Sequence, residues 1–223
     1  MYEKRTFLIT SAIFLFLFIV VALLTSGTTG LLIDEKFAYE AQHVSSMMEN
    51  VMGYVSYVGS SEVILIITIL IGLVFLIKRQ WQPFFFFFVV SVGGVILNLV
   101  LKLLVQRARP GDEAKLIEVF NFQVELQSYS FPSGHTMRAT ILFAFIVYLL
   151  IYYLRHRAWK IGGTIFFIIL LLGVAWSRVV LDAHFVTDIV GGVLISISWF
   201  FLCLAFFYKP KSGRRISYTY LHR

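Results

Sequence analysis

Six apolar runs, each close to the length that crosses a bilayer, leave this chain few folds to choose from. They lie near Thr6–Thr25, Gly59–Ile77, Pro83–Val105, Gly134–Leu154, Ile161–Leu181 and Thr187–Tyr208. A helix needs roughly 20 predominantly apolar residues to cross about 30 Å of hydrocarbon, and these runs have that length. Strands fit poorly, because barrel segments alternate in polarity over about ten residues, whereas these runs are continuously apolar, as in Phe84–Val90. With 59% hydrophobic residues and a mean hydropathy of +0.86 over 223 residues, the chain lies outside the range of soluble domains. The expected fold is all-α: a polytopic membrane protein of six transmembrane helices, organised as one domain over residues 1–223. Glu62 makes the second span the least regular.

Charge sets the orientation. An N-in arrangement leaves Met1–Arg5, Lys78–Gln82, Arg155–Lys160 and Lys209–Arg223 inside, and these hold 12 of the 19 lysines and arginines. The positive-inside rule then makes both termini cytoplasmic. Lys36, Lys102, Arg107, Arg109, Lys115, Arg138 and Arg178 remain outside. Cations placed against the rule imply something there that requires them, and a bound anion is the simplest candidate. A signal peptide is the competing reading of the N-terminus, since Lys4 and Arg5 precede an apolar stretch. That stretch exceeds the roughly 7–15 residues of a signal core, and no A-x-A-like site follows.

The segments between spans say less. Leu31–Met52 alternates Phe37, Val44, Met48 and Val51 with Asp34, Glu35, Glu40 and Glu49, a pattern that suits a short helix lying along the interface in the first outer loop. Such a helix either guides a headgroup or only connects two spans. Pro110–Phe131 is long for a connection, and long connections tend to be functional or disordered. Phe84–Phe88 reads as a lipid-facing or packed helix surface. Cys203 is the single cysteine, so an intrachain disulfide is excluded. The basic tail Lys209–Arg223 follows a span and is expected to contact anionic lipid, not nucleic acid.

Three polar clusters interrupt the apolar chain: Lys102-x6-Arg109-Pro110, Pro132-Ser133-Gly134-His135, and Ser177-Arg178-x5-His184-x3-Asp188. Ionisable groups at membrane depth are costly enough to imply function. In the six-span topology all three fall at the outer side. Lys102 and Arg109 are two helical turns apart, so on a continuous helix they share a face about 10 Å apart along the axis, with Pro110 ending the helix. Snorkelling at a helix end is the structural alternative for this pair, and an ion pair with Asp182 or Asp188 is the alternative for Arg178. Together the three cations supply about +3 against the roughly −1.5 to −2 of a phosphate monoester. Pro132–His135 falls where the fourth span starts, and a helix N-terminus offers free N–H groups to an anion. Ser133 is also a natural N-cap, and Gly134 would let an oxyanion approach the backbone.

Two histidines beside these cations suggest chemistry as well as binding. His184 and Asp188 are four apart, so the carboxylate can hold one ring N–H and leave the other nitrogen to attack phosphorus. His135 is left to protonate the departing oxygen. Ser133 as nucleophile lacks the G-x-S-x-G elbow. A metal site of His135, His184 and Asp188 is a further alternative by ligand type, which the nearby cations oppose. A lipid transporter or binding protein could use the same cations without hydrolysis, but recognition alone needs no acid and nucleophile.

The three clusters resemble the three signature motifs of the type-2 phosphatidic acid phosphatase family, with no departure at any motif position over residues 102–188. The resemblance implies a metal-independent, cofactor-free membrane lipid phosphatase that works through a phosphohistidine. It implies His184 as nucleophile, Asp188 as its orienting partner, and His135 as general acid and then base. Lys102, Arg109, Arg178, Ser133 and Gly134 would hold the phosphate oxygens. Small six-span members of the family include phosphatases of phosphatidylglycerophosphate and of undecaprenyl diphosphate. A glycerophospholipid such as phosphatidylglycerophosphate or phosphatidate is the expected substrate and undecaprenyl diphosphate the alternative, at a site facing outward from the cell membrane.

Overall fold

A backbone in hydrocarbon has to satisfy its own N–H and C=O groups, and long apolar runs do so by forming long helices. The computed structural model describes residues 2–25, 27–110, 116–119, 122–125 and 129–207. Among these the elements are α1 (Tyr2–Leu24), α2 (Thr28–Gln42), α3 (Ser46–Val58), α4 (Ser61–Ile77), α5 (Trp81–Val105), β1 (Leu116–Val119), β2 (Phe122–Glu125), α6 (Gly134–Tyr153), α7 (Arg157–Val180) and α8 (Val186–Phe207). Six stretches are long and apolar enough to cross a membrane: α1, α3 with α4, α5, α6, α7 and α8. They coincide with the six expected spans to within about a helical turn, except at the start of the second.

The second stretch begins at Ser46, ahead of the expected Gly59. Gly59 and Ser60 join α3 to α4, with Gly59 N–H bonding to the Ser56 carbonyl at 3.0 Å. A Cβ on Gly59 would lie 2.3 Å from Val174 Cγ1, so the glycine lets this junction sit against α7. The Ser60 hydroxyl accepts from Val63 N–H at 3.3 Å, and Glu62 occupies the first turn of α4, where the positive end of the helix favours an acid.

The segment expected to form the first outer loop is two helices where one was expected. α2 ends at Gln42, and Ser45 caps α3 by accepting from Met48 N–H at 3.3 Å. α2 packs on α7 and α8, with Phe37 edge-on to Trp176 at 6.3 Å and Asp34 and Ala41 buried. The connection between α5 and α6 carries a small antiparallel hairpin, paired from Leu116↔Glu125 to Val119↔Phe122, an addition to the all-α expectation. Its strands are four residues each, too short for their alternation to stand out against helical runs. Lys115, Tyr208 and the tail Lys209–Arg223 lie outside the described residues.

α6 and α8 form the centre. They bury 44% and 56% of their membrane windows, against 11% to 22% for the other four stretches, so the outer helices shield these two. Phe86 and Phe87 enter the core, Phe87 lying 4.3 Å from Phe145 by ring centroid, while Phe85 and Phe88 stay about half exposed. The phenylalanine run therefore supplies a packed face and an outward one.

Without a hydrophobic difference between helix and lipid, membrane helices associate through small residues and polar contacts. Both occur here. Ser11 and Ser198 exchange hydrogen bonds, each hydroxyl donating to the other's carbonyl at 2.9 Å. Gly93 admits Trp199, whose indole N–H donates to the Val90 carbonyl at 3.0 Å. A Cβ on Gly93 would meet Trp199 Cζ2 at 2.4 Å, and a rigid ring pinned by that bond has little room to move. Gly93→Ala is expected to cost about 1–3 kcal/mol, the usual range for overpacking, read as a lower thermal midpoint in detergent than the wild type.

Candidate active site

The first cluster takes its geometry from the end of α5. The helix stops at Val105, and Gln106 adopts the left-handed conformation, φ 51° and ψ 35°, with its N–H on the Lys102 carbonyl. Such a cap ends a helix without help from proline. Arg109 therefore stands on the extended stretch beyond the helix. This corrects the expectation of a shared helix face with Lys102 and of a helix ended by Pro110. The two cations are brought together by the chain that returns toward α6. Lys102 Nζ donates to the Tyr129 carbonyl, and Ser130 N–H bonds to the Arg107 carbonyl at 2.7 Å. Lys102 and Arg109 then lie within electrostatic reach of each other and of Asp188.

The second cluster begins α6 as expected. Ser133 is fully buried and is the N-cap, its Oγ receiving Thr136 N–H at 3.5 Å and lying 3.1 Å from Thr136 Oγ1. Its own N–H donates to the Asp188 carbonyl at 3.1 Å, tying this turn to the third cluster. Asn98 Nδ2 holds the Pro132 carbonyl at 3.0 Å. A Cβ on Gly134 would come within 3.1 Å of Asn98 Oδ1 and 3.3 Å of Arg138 Nη1, so the missing side chain keeps a narrow space open at the helix N-terminus. Behind it the buried Phe131 ring stacks on Phe18 and fills the space that Gly191 leaves.

The third cluster wraps the turn between α7 and α8. Ser177 is a buried helix residue whose hydroxyl bonds back to the Val174 carbonyl at 2.7 Å. Arg178 donates from Nη1 to Ser56 Oγ at 2.6 Å. The expected alternative partners, Asp182 and Asp188, are not the ones the structure gives it. Its Nε is buried with no hydrogen-bond partner. Asp182 takes φ 50°, and the N–H groups of Ala183 and His184 both reach the Arg178 carbonyl, at 3.0 and 3.1 Å. This tight turn delivers His184 next to the arginine. His135 lies within the fields of Arg178, Arg138, His184 and Arg109, so residues from all three clusters converge at one end of the bundle.

His184 is 2% exposed, with Nδ1 3.4 Å from Asp188 Oδ2. That separation exceeds an ordinary hydrogen bond, and Nδ1 has no closer partner; the opposite nitrogen, Nε2, points away from the carboxylate. Burial pushes His184 down to about 4, against the opposing pull of Asp188 and with help from Arg109 and Lys102. Burial also lowers Arg109, partly offset by Asp188; a guanidinium stays charged regardless.

Asp188 has no exposed surface and carries more partners than spacing suggested. Arg107 Nη1 donates to Oδ1 at 2.6 Å, Phe185 N–H donates to Oδ2 at 2.9 Å, and the Ser130 hydroxyl also donates to Oδ2. Arg107 Nη2 continues to Asp34 Oδ2 at 2.5 Å. Sequence reasoning missed Arg107, Asp34 and Ser130 as members of the site. The one signal was the excess of outer cations, which included Arg107. Among the described residues no group of three or more His, Cys, Asp and Glu is placed to share a metal ion, so the alternative set of His135, His184 and Asp188 does not form.

Comparisons with known proteins agree with this geometry. A sequence model of the PAP2 superfamily matches residues 83–212, which include all three clusters. Phosphatidylglycerophosphatase B of Bacillus subtilis (strain 168) is 33% identical over 175 residues, covering 75% of this chain and 79% of that protein. The crystal structure of a transmembrane PAP2-type phosphatidylglycerolphosphate phosphatase from Bacillus subtilis superposes with a TM-score of 0.73 at 28% identity, over 92% of this chain and 96% of that one. Six membrane-length helices with polar clusters gathered at one end, and kinship on both sequence and structure, place this chain in the PAP2 superfamily as a multi-pass membrane lipid phosphatase.

Proposed function

We propose that the chain hydrolyses the phosphomonoester of phosphatidylglycerophosphate or a related glycerophospholipid such as phosphatidate, through a phosphohistidine on His184. The observation that carries this reading is the buried His184–Asp188 pair set among Lys102, Arg109 and Arg178. Asp188 faces the Nδ1 side of the ring, which leaves the Nε2 lone pair for phosphorus. Lys102, Arg109, Arg178 and the N-terminal turn of α6 at Ser133 and Gly134 receive the phosphate oxygens, the backbone N–H groups adding to the cations. The buried, unpartnered Nε of Arg178 is a donor that an anion there would satisfy. The names of the similar phosphatases favour the glycerophospholipid.

In the first step His184 Nε2 attacks phosphorus, the bond from phosphorus to the lipid oxygen breaks, and His135 gives that oxygen a proton. In the second, water attacks the phosphohistidine and loses a proton to His135, and the N–P bond breaks to release inorganic phosphate. One histidine serves as acid and then as base. The enzyme sits in the cell membrane with both termini cytoplasmic and the site on the outer face. The 12 lysines and arginines in the segments opposite the site support this orientation under the positive-inside rule.

Phosphate release by purified protein with excess chelator, comparing phosphatidylglycerophosphate, phosphatidate and undecaprenyl diphosphate, tests chemistry and substrate together. His184→Ala is expected to abolish turnover, His135→Ala to lower it about 10²–10⁴-fold as loss of a general acid does, and Asp188→Asn by a comparable factor, as for other orienting carboxylates. An alkaline quench with labelled substrate should leave phosphate on the wild type and none on His184→Ala; undiminished release by that variant would overturn the reading.

The pH profile follows from the burial of His184. The nucleophile is the neutral ring, present above its pKa and lost as pH falls through it. The acid limb of kcat/KM should therefore lie near 4, well below the roughly 6.5 of an exposed histidine. A limb at 6.5 would show that His184 is not the group titrating.

Orientation is checked with Tyr39→Cys in α2 and Trp159→Cys in α7, both exposed positions, in a Cys203→Ala background. A membrane-impermeant maleimide should label the first in intact cells and the second only after permeabilisation.

A further inference from the structure

We propose that Arg107 and Asp34 are positioning residues for the phosphatase reaction: Arg107 fixes the carboxylate of Asp188, and Asp34, reaching in from α2, fixes Arg107. The proposal rests on the reading of His184 as nucleophile and Asp188 as its orienting partner.

A buried carboxylate is stable only when paired and hydrogen-bonded. The two oxygens of Asp188 are used differently. Oδ1 takes Arg107 Nη1 at 2.6 Å, while Oδ2 takes Ser130, takes Phe185 N–H at 2.9 Å, and faces His184 Nδ1 at 3.4 Å. With Oδ1 held by a cation, the carboxylate plane cannot rotate without breaking an ion pair, and Oδ2 stays aimed at the histidine.

Arg107 is in turn held at both amino groups and on one face. Nη1 also donates to Thr187 Oγ1 at 2.7 Å, Nη2 donates to Asp34 Oδ2 at 2.5 Å, and the guanidinium lies 4.3 Å from the Phe185 ring centroid. Its side chain is 11% exposed. These contacts commit both amino groups and one face to protein partners, whereas Arg178 has a buried Nε with no partner.

Asp34 completes the clamp and caps α8 from another helix. Its Oδ1 accepts Thr187 N–H at 3.0 Å and its Oδ2 accepts the Thr187 hydroxyl at 2.8 Å. Thr187 is in the first turn of α8, where backbone N–H groups lack intrahelical partners. One carboxylate on α2 thus holds both the helix that carries Asp188 and the arginine that pairs with Asp188. Groups that orient metal-ligating residues change activity about 10–100-fold when removed, and an effect of that order is expected for this clamp.

The test measures kcat and KM with phosphatidate for purified Asp34→Asn, Arg107→Lys, Arg107→Gln and the double variant Asp34→Asn/Arg107→Gln in nanodiscs, with thermal midpoints confirming that each is folded. Asp34→Asn is nearly isosteric and keeps the proposal testable if Arg107→Gln fails to fold. Arg107→Gln should lower kcat about 100-fold and Asp34→Asn about 10-fold, each with KM nearly unchanged. Arg107→Lys should recover part of the loss. The double variant should lose far less than the product of the two single losses, because Asp34 and Arg107 act through one clamp on Asp188. A raised KM with kcat preserved would make Arg107 a phosphate ligand, and multiplied losses would give Asp34 a separate route; either overturns the clamp. His184→Ala, run alongside, separates the two claims. Turnover in that variant removes the nucleophile reading and this proposal with it. A dead His184→Ala beside wild-type kcat in Asp34→Asn and Arg107→Gln removes this proposal alone.

Discussion

A fully buried carboxylate is the point on which the functional end of this bundle depends. Asp188 sits in the first turn of α8 with no exposed surface, and such a charge persists only if its surroundings supply donors. The donors come from three places in the chain: Arg107 beyond α5, Ser130 before α6, and the Phe185 backbone before α8. The Asp188 carbonyl in turn holds Ser133 N–H at the start of α6. Meeting the needs of one residue therefore fixes the ends of three helices, which carry every motif residue except Ser177 and Arg178 at the end of α7.

The spans were legible because hydrocarbon permits little besides helix, so apolar length alone located all six to within about a turn, apart from the start of the second. The clusters were legible because their spacing is local: His184 and Asp188 four apart, and Ser133 directly ahead of a helix. What stayed hidden were contacts between residues distant in sequence. Asp34 and Thr187 are 153 positions apart, and neither belongs to a recognisable pattern. Arg178 reaches Ser56 across 122 positions. Helix periodicity also misled at Lys102 and Arg109, because a left-handed residue at Gln106 breaks the helix where composition gives no warning. The interfacial reading of Leu31–Met52 treated Asp34 as part of a solvated face, whereas the residue turns inward to an arginine.

The family match begins at residue 83, after α1 to α4, yet the preceding part of the chain supplies Asp34 to Arg107 and Ser56 to Arg178. The motif-bearing helices thus contain the reacting groups but not all of the partners that hold them. At this end the two parts meet through polar side chains that replace hydration lost on burial.

The paired serines Ser11 and Ser198 give α1 the role of a ruler. Their reciprocal bonds set the axial register of α1 on α8, and the 13 residues from Ser11 to Leu24 span about 20 Å at 1.5 Å per residue. Gly30, whose Cβ would collide with the Leu24 carbonyl at 2.2 Å, presses the start of α2 onto that end. The depth at which Asp34 enters the site end of the bundle is thereby measured out from a contact midway along α1, and a one-residue insertion in α1 would shift the count before any residue of the site is touched.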